Sequence, residues 1–283
     1  MKAIAKTNLF LSVLGKRSDS YHDLENVFVP LSDVYDEVEL ASGKGAIALE
    51  VEGASLSTDR GNLCLKAADA FCEASGCFPE VNIHLRKNIP IAAGLGGGSS
   101  DAAAVLLLLN EHCGFPLNAE QLKSIASKLG ADVPFFLHPV PSLGTGIGDV
   151  LSPIELNVNF AVIMVAPCFP LPVRWTFSHL VGPAPDAPSL QRFLDAARGS
   201  SAAELAKACR NDLETAVFNK FPLLCAMRDC LLKNGALAVH VSGSGPSLFA
   251  ISEIERASSV ASSFYSVYGT FRPPCISVFQ YGR

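Results

Sequence analysis

The first fifty residues alternate short apolar runs with polar positions, in Leu9-Phe10-Leu11, Val27-Phe28-Val29, Val38-Glu39-Leu40 and Ile47 to Val51, punctuated by Gly, Ser and Asp. A period of two places neighbouring side chains on opposite faces of a strand, so this stretch predicts antiparallel strands. Leu63 to Ala74 has helical apolar spacing, and Val81-Asn82-Ile83-His84-Leu85 alternates as a strand that must end before Pro90. A glycine-rich loop follows, then an apolar helix from about Ser100 to Glu111. Asn118 is placed to cap a second helix over 119–129, closed by Gly130. A turn-rich stretch from Ser142 to Asp149 leads to an apolar strand at Phe160 to Val165. Beyond a proline-bearing loop at Gly182 to Ser189, the pattern gives helices at 190–197, 202–208 and 223–233. A strand at 237–241, a Gly-Ser-Gly-Pro turn, a strand to Ile251, a helix at 253–264 and a last strand near 276–279 complete the chain.

This order predicts an α+β protein of two domains, 1–153 and 154–283, with no internal repeat. The 283 residues are 49% hydrophobic and 17% charged, enough to bury a substantial core. A net charge of −5 argues against broad nucleic-acid binding, so an anionic ligand needs a local device. The nine cysteines are odd in number and form no C-x-x-C, which points to neither a disulfide framework nor a zinc site, and so to the reducing cytoplasm. The histidines lack paired spacing, so no protein metal site is expected. The apolar start is broken by Lys6, Thr7 and Asn8, unlike a signal peptide, and the longest apolar run, 102–109, is too short to span a bilayer.

Candidate chemistry centres on Pro90-Ile91-Ala92-Ala93-Gly94-Leu95-Gly96-Gly97-Gly98-Ser99-Ser100, which joins an extended segment to a helix start. Glycines let successive amides converge on an anion, and the helix adds unpaired N–H donors and a positive dipole end. A flexible glycine-rich connection is the plain alternative. The loop lacks the Gly-Lys-Ser/Thr of a Walker A motif, and Ser99 stands where G-x-G-x-x-G needs its third glycine.

The loop resembles the phosphate-binding motif of the galactokinase, homoserine kinase, mevalonate kinase and phosphomevalonate kinase superfamily. Two more superfamily elements occur in order, Ala5-Lys6-Thr7-Asn8-Leu9 and Val241-Ser242-Gly243-Ser244-Gly245-Pro246-Ser247. Within the superfamily, Gly15-Lys16-Arg17-x-Asp19-x-Tyr21-His22-x-Leu24 and Gly130-Ala131-Asp132-Val133-Pro134-Phe135 resemble the 4-diphosphocytidyl-2-C-methyl-D-erythritol kinases. The resemblance covers almost the whole chain. It implies a mixed α/β nucleotide-binding domain, a ferredoxin-like α+β second domain and an active site in the cleft between them. It also implies ATP-dependent phosphorylation of the 2-hydroxyl of the family's cytidine-diphosphate substrate in non-mevalonate isoprenoid synthesis, with Mg²⁺ carried by the nucleotide. A monomer or weak homodimer in the cytoplasm, with no nucleic acid or membrane partner, completes the expectation.

Carried onto this sequence, the family's catalytic pair falls on Lys6 and Asp132, a phosphate-side cation and a candidate base. On the residues alone, Lys6 reads first as a solvated strand lysine, the far commoner case, and Asp132 is equally a turn aspartate before a Val-Pro-Phe-Phe strand. Asn8 shares a strand face with Lys6 and is implied to hold the substrate diol. Tyr21 and His22 fall in the cytidine pocket, and Trp175 is implied to supply a second aromatic platform, against packing under a helix as the alternative. Asn62 falls on the adenine side or is an N-cap. Gly243, Ser244 and Gly245 close the cleft or form a simple strand-to-strand turn.

Ile4, Thr7, Ser20 and Leu171 depart from the family pattern. Ser20 stands where a glycine is usual, so a positive φ there would strain it. A sister kinase acting on mevalonate, homoserine or a sugar, and a silent nucleotide-binding regulator, are the competing readings.

Overall fold

The structure, a computed structural model, describes residues 1–167, 169–182, 186–269 and 275–280. The chain forms two compact units whose segments interleave, one of residues 1–6, 30–91 and 96–140, the other of 7–29, 92–95 and 141–283. Two long strands, β1 (Lys2–Lys16) and β2 (His22–Ser42), contribute residues to both. The short runs at the start of the chain are therefore pieces of two long strands and a third, β3 (Ala48–Glu52).

In the first unit β3 pairs in parallel with β4 (Val81–Arg86), and β4 pairs antiparallel with β2. The helices α1 (Leu63–Ser75), α2 (Gly97–His112) and α3 (Ala119–Leu129) pack on one another with α4 (Val133–Leu137). Phe71, Ile83, Leu85, Val105, Leu106 and Leu109 are buried in this unit, each contributing about 1.5–3 kcal/mol through burial. The Val-Pro-Phe-Phe segment expected as a strand is helix α4, with a proline in the first turn where its missing N–H costs nothing.

The unit also overturns the expectation of no disulfide. Cys77, just past the end of α1, is bonded to Cys113, the C-terminal cap of α2. Packing of α1 on α2 brings together two cysteines that are 36 residues apart. Cys168 and residues 183–185 of the proline-bearing loop lie outside the described residues.

In the second unit β2 pairs through Asn26, Val27 and Phe28 with β5 (Ser142–Thr145), which pairs with β6 (Val150–Pro153), so the expected turn-rich stretch holds a hairpin. Then come β7 (Phe160–Val165), α5 (Val173–Ser178), α6 (Leu190–Ala197), α7 (Ala202–Ala208), β8 (Arg210–Asn211) and α8 (Glu214–Lys220). β8 pairs in parallel with β1 at Phe10 and Leu11. α9 (Pro222–Lys233), β9 (Ala238–Val241), β10 (Leu248–Ser252), α10 (Ile254–Tyr268) and β11 (Cys275–Phe279) complete the chain.

The antiparallel sheet runs β11-β7-β10-β9. With α9 and α10 it forms the β-α-β-β-α-β arrangement of a ferredoxin-like layer, as expected. Val165, Leu224, Met227, Leu231, Val241, Leu248 and Phe264 fill its core. Among the described residues no helix is long and apolar enough to cross a membrane.

Candidate active site

In the first unit, three separate segments meet. Lys6 lies on β1 and is buried, and its Nζ is 3.5 Å from Oδ2 of Asp132. Asp132 is the residue before α4 and makes no side-chain capping bond, and its side chain is one-third exposed (33%), so the carboxylate edge is open to a ligand. Gly96, the N-cap of α2, sits against both α4 and Lys6: a Cβ there would lie 2.7 Å from the Phe136 ring and 3.1 Å from Cγ of Lys6. With φ of 73°, Gly96 also adopts a conformation that disfavours any side chain.

The start of α2 is bare. No side chain caps it and its first turn holds no acidic residue. A Cβ on Gly98 would meet nothing within 4 Å, whereas one on Gly97 would press on Ile89. Among the described residues, the first-turn amides of this 16-residue helix thus lie beside the Lys6–Asp132 pair with neither a capping side chain nor a first-turn acid, which is the electrostatic character of an anion site. Pro90 and Ile91 lead into the loop, and Ser99 and Ser100 stand in the first turn, Ser100 buried and donating its amide to the Gly96 carbonyl.

In the second unit the loop's other half, residues 92–95, is tied to the Gly-Ser-Gly-Pro turn. Thr7 Oγ1 donates to Ser242 Oγ at 2.9 Å, Ser242 Oγ donates to the Gly94 carbonyl at 3.1 Å, and the Ser247 amide donates to the Ala93 carbonyl at 3.3 Å. A Cβ on Gly94 would fall 2.1 Å from the Ser242 carbonyl oxygen, so only glycine fits. Gly243 and Gly245 take φ of 55° and 80°. Asn211 holds this turn from β8, donating to the Val241 and Gly243 carbonyls at 2.7 and 2.8 Å, and Thr176 donates to the Ser244 carbonyl at 3.0 Å. Sequence reasoning missed Asn211 and Thr176, because nothing in their spacing links them to the motif they support.

Asn8 is buried and donates to Asn26 Oδ1 at 2.6 Å. Ser20 has φ of 73°, the positive value anticipated from its standing in a glycine's place. The turn is held by Arg17, which pairs with Asp19 and Asp23, and by the Tyr21 amide, which donates to Asp19 and holds that carboxyl below the usual range. It leaves Tyr21 exposed. His22 stacks on Phe177 with ring centroids 5.1 Å apart. Trp175 packs on the C-terminal core, stacked on His179 at 4.2 Å, with Lys220 Nζ 3.8 Å from its ring centroid. Asn62 caps α1: its Oδ1 accepts from the Cys64 amide and its Nδ2 donates to the Ser57 carbonyl. Among the described residues no cluster of three or more His, Cys, Asp or Glu could hold a metal ion.

Two family profiles match the chain, "GHMP kinases N terminal domain" over residues 62–139 and "GHMP kinases C terminal" over 193–269. The 4-diphosphocytidyl-2-C-methyl-D-erythritol kinase of Chlorobium phaeobacteroides is 37% identical over 270 residues, covering 94% of this chain and 93% of its own. The protein of the same name in Geobacter sulfurreducens is 38% identical and covers 91% of each chain.

The chain belongs to the 4-diphosphocytidyl-2-C-methyl-D-erythritol kinase family.

The crystal structure of a 4-(cytidine 5'-diphospho)-2C-methyl-D-erythritol kinase superposes with a TM-score of 0.81 at 31% identity, over 100% of this chain and 99% of that one. The family's two-domain GHMP kinase fold is thus the fold of this chain, and the enzyme class is that of an ATP-dependent kinase.

Proposed function

We propose that the chain transfers the γ-phosphoryl group of ATP to the 2-hydroxyl of 4-diphosphocytidyl-2-C-methyl-D-erythritol, a step of non-mevalonate isoprenoid precursor synthesis. The observation carrying this reading is the convergence of the Lys6–Asp132 pair on Gly96 at the bare start of α2. Phosphoryl transfer depends on positioning, on neutralising charge and on orienting the attacking hydroxyl.

In this reading the Gly96–Ser100 amides hold the terminal phosphates and Lys6 balances charge that builds on the transferred group. Asp132 Oδ2 accepts the proton of the substrate hydroxyl as its oxygen bonds to phosphorus and the ADP oxygen leaves. The nucleotide would carry Mg²⁺, which would supply charge screening at its phosphates. Asn8 orients the diol, Tyr21 and His22 hold the cytosine with Trp175 as the further platform, and the backbone at Asn62 borders the adenine. Gly243, Ser244 and Gly245 shape the loop through Ser242, whose carbonyl lies against Gly94.

Coupled ADP release across a panel of alcohols tests the reading. The cytidine-diphosphate substrate should be turned over and mevalonate and homoserine should not, with CMP competing. Asp132→Asn should lower kcat by about 10²- to 10⁴-fold with little change in KM. A folded variant with undiminished turnover removes Asp132 from the chemistry.

A further inference from the structure

Beneath the phosphate loop lies a buried ionic cluster that the roles above leave unused. Lys87, just past β4, extends its Nζ between two carboxylates, pairing with Asp36 of β2 and, at 2.7 Å, with Asp101 of α2. All three are buried, Asp36 completely. Asp36 also accepts the amides of Asn88 and Ile89, at 2.5 and 2.8 Å, so the backbone entering Pro90 is fastened to the same carboxylate. A Cβ on Gly97 would come within 3.2 Å of Lys87 Nζ, so the ammonium touches the first turn of α2. One oxygen of Asp101, Oδ1, is buried with no hydrogen-bond partner among the described residues.

The charges do not cancel. One ammonium between two ionised carboxylates leaves a net negative charge in a poorly solvated site, adjoining a helix start that suits anions. A bound polyphosphate deepens that repulsion, and a proton on Asp101 relieves it, because the bare Oδ1 can carry hydrogen while Oδ2 keeps the bond to Lys87. The groups facing Asp101 are Lys87, Asp36 and the Cys64 thiol of α1; α4, which also packs on α2, carries no titratable side chain within Val133–Leu137. Burial and then Asp101 itself push the Cys64 thiol up to about 12, so it stays neutral.

We propose that Asp36, Lys87 and Asp101 are a positioning device for the phosphate loop in which Asp101 takes a proton from solvent as the loop takes up the polyphosphate of a nucleotide. The proposal rests on the reading of Gly96–Ser100 as the nucleotide's phosphate site. Burial already pushes the Asp101 carboxyl up to about 7, with Lys87 opposing the rise and Asp36 adding to it. The two carboxylates outweigh burial at Lys87, whose ammonium is held above its usual range and stays charged. The sign follows: the protonated cluster is neutral and favours the anion, so affinity is highest below about pH 7 and weakens as pH rises through that value.

Calorimetric titration with a non-hydrolysable ATP analogue at pH 8, in two buffers of different ionisation enthalpy, counts the protons. The wild-type chain should take up as much as about one proton more than Asp101→Asn. Its affinity should also fall about three- to tenfold more than the variant's between pH 6.5 and 8.5, since one pKa unit corresponds to a factor of ten. A purely structural brace would move stability but not the proton count. Infrared difference spectra of the wild-type chain need no variant: nucleotide addition at pH 8 should raise a protonated-carboxyl band. Equal proton uptake in both proteins, or no such band, overturns the inference and leaves the phosphate site standing. No nucleotide binding by the wild-type chain at any pH overturns both.

Discussion

Two helices of the first unit begin in opposite ways. α3 starts with a complete capping box: Asn118 accepts the Gln121 amide at 3.0 Å, Gln121 accepts the Asn118 amide at 2.9 Å, and Glu120 adds negative charge to the first turn. α2 starts on a glycine with no capping side chain and no acid in its first turn. The α3 end is complete within the protein, as a helix chosen for stability should be. The α2 end forgoes that stabilisation beside Lys6 and Asp132, which in the proposed function leaves its amides to the phosphates of a nucleotide.

The largest expected break in this contrast comes from Gly94→Ala, which places a methyl on the Ser242 carbonyl at a φ of 77°. Displacing the loop by even about 1 Å should lower kcat/KM by about 10²-fold or more, measured by steady-state ADP release. A milder change makes α2 resemble α3. Gly98→Glu puts a carboxylate into open space in the first turn of α2, so it should raise KM for ATP about tenfold while thermal unfolding shows no loss of stability. Lowered stability with unchanged KM would show that the bare amides do not serve an anion. The smallest effect is the converse: Asn118→Ala should cost about 1 kcal/mol in urea unfolding and leave both KM and kcat at wild-type values.

The parts of this architecture carried by periodicity and caps could be read directly from the chain. Phe160–Val165 and 119–129 have the limits expected of them, because a six-residue apolar run with β-branched Val162, Ile163 and Val165 favours a strand and the Asn118-to-Gly130 frame marks both ends of a helix. α4 was misread because five residues, Val-Pro-Phe-Phe-Leu, are too few to distinguish a period of two from one of 3.6. β1 and β2 looked like fragments because buried polar groups such as Lys6, Thr7, Asn8 and Asn26 interrupt their apolar pattern. Those interruptions are where candidate chemistry lies.

At the site, Lys6, Asp132 and the glycine loop were legible because motifs place them. Phe177, Asn211 and the Asp36-Lys87-Asp101 cluster were not, since each acts through partners distant in sequence. The Cys77–Cys113 bond was hidden for the same reason, with no local spacing to announce it.

That bond has a topological effect. Joining Cys77 to Cys113 encloses Lys87, the whole of 90–100 and all of α2 in one covalent ring. A protease cut anywhere between 78 and 112 opens the ring without releasing a fragment, so the severed ends of the glycine-rich segment stay tethered to the same molecule until a reductant parts the sulfurs.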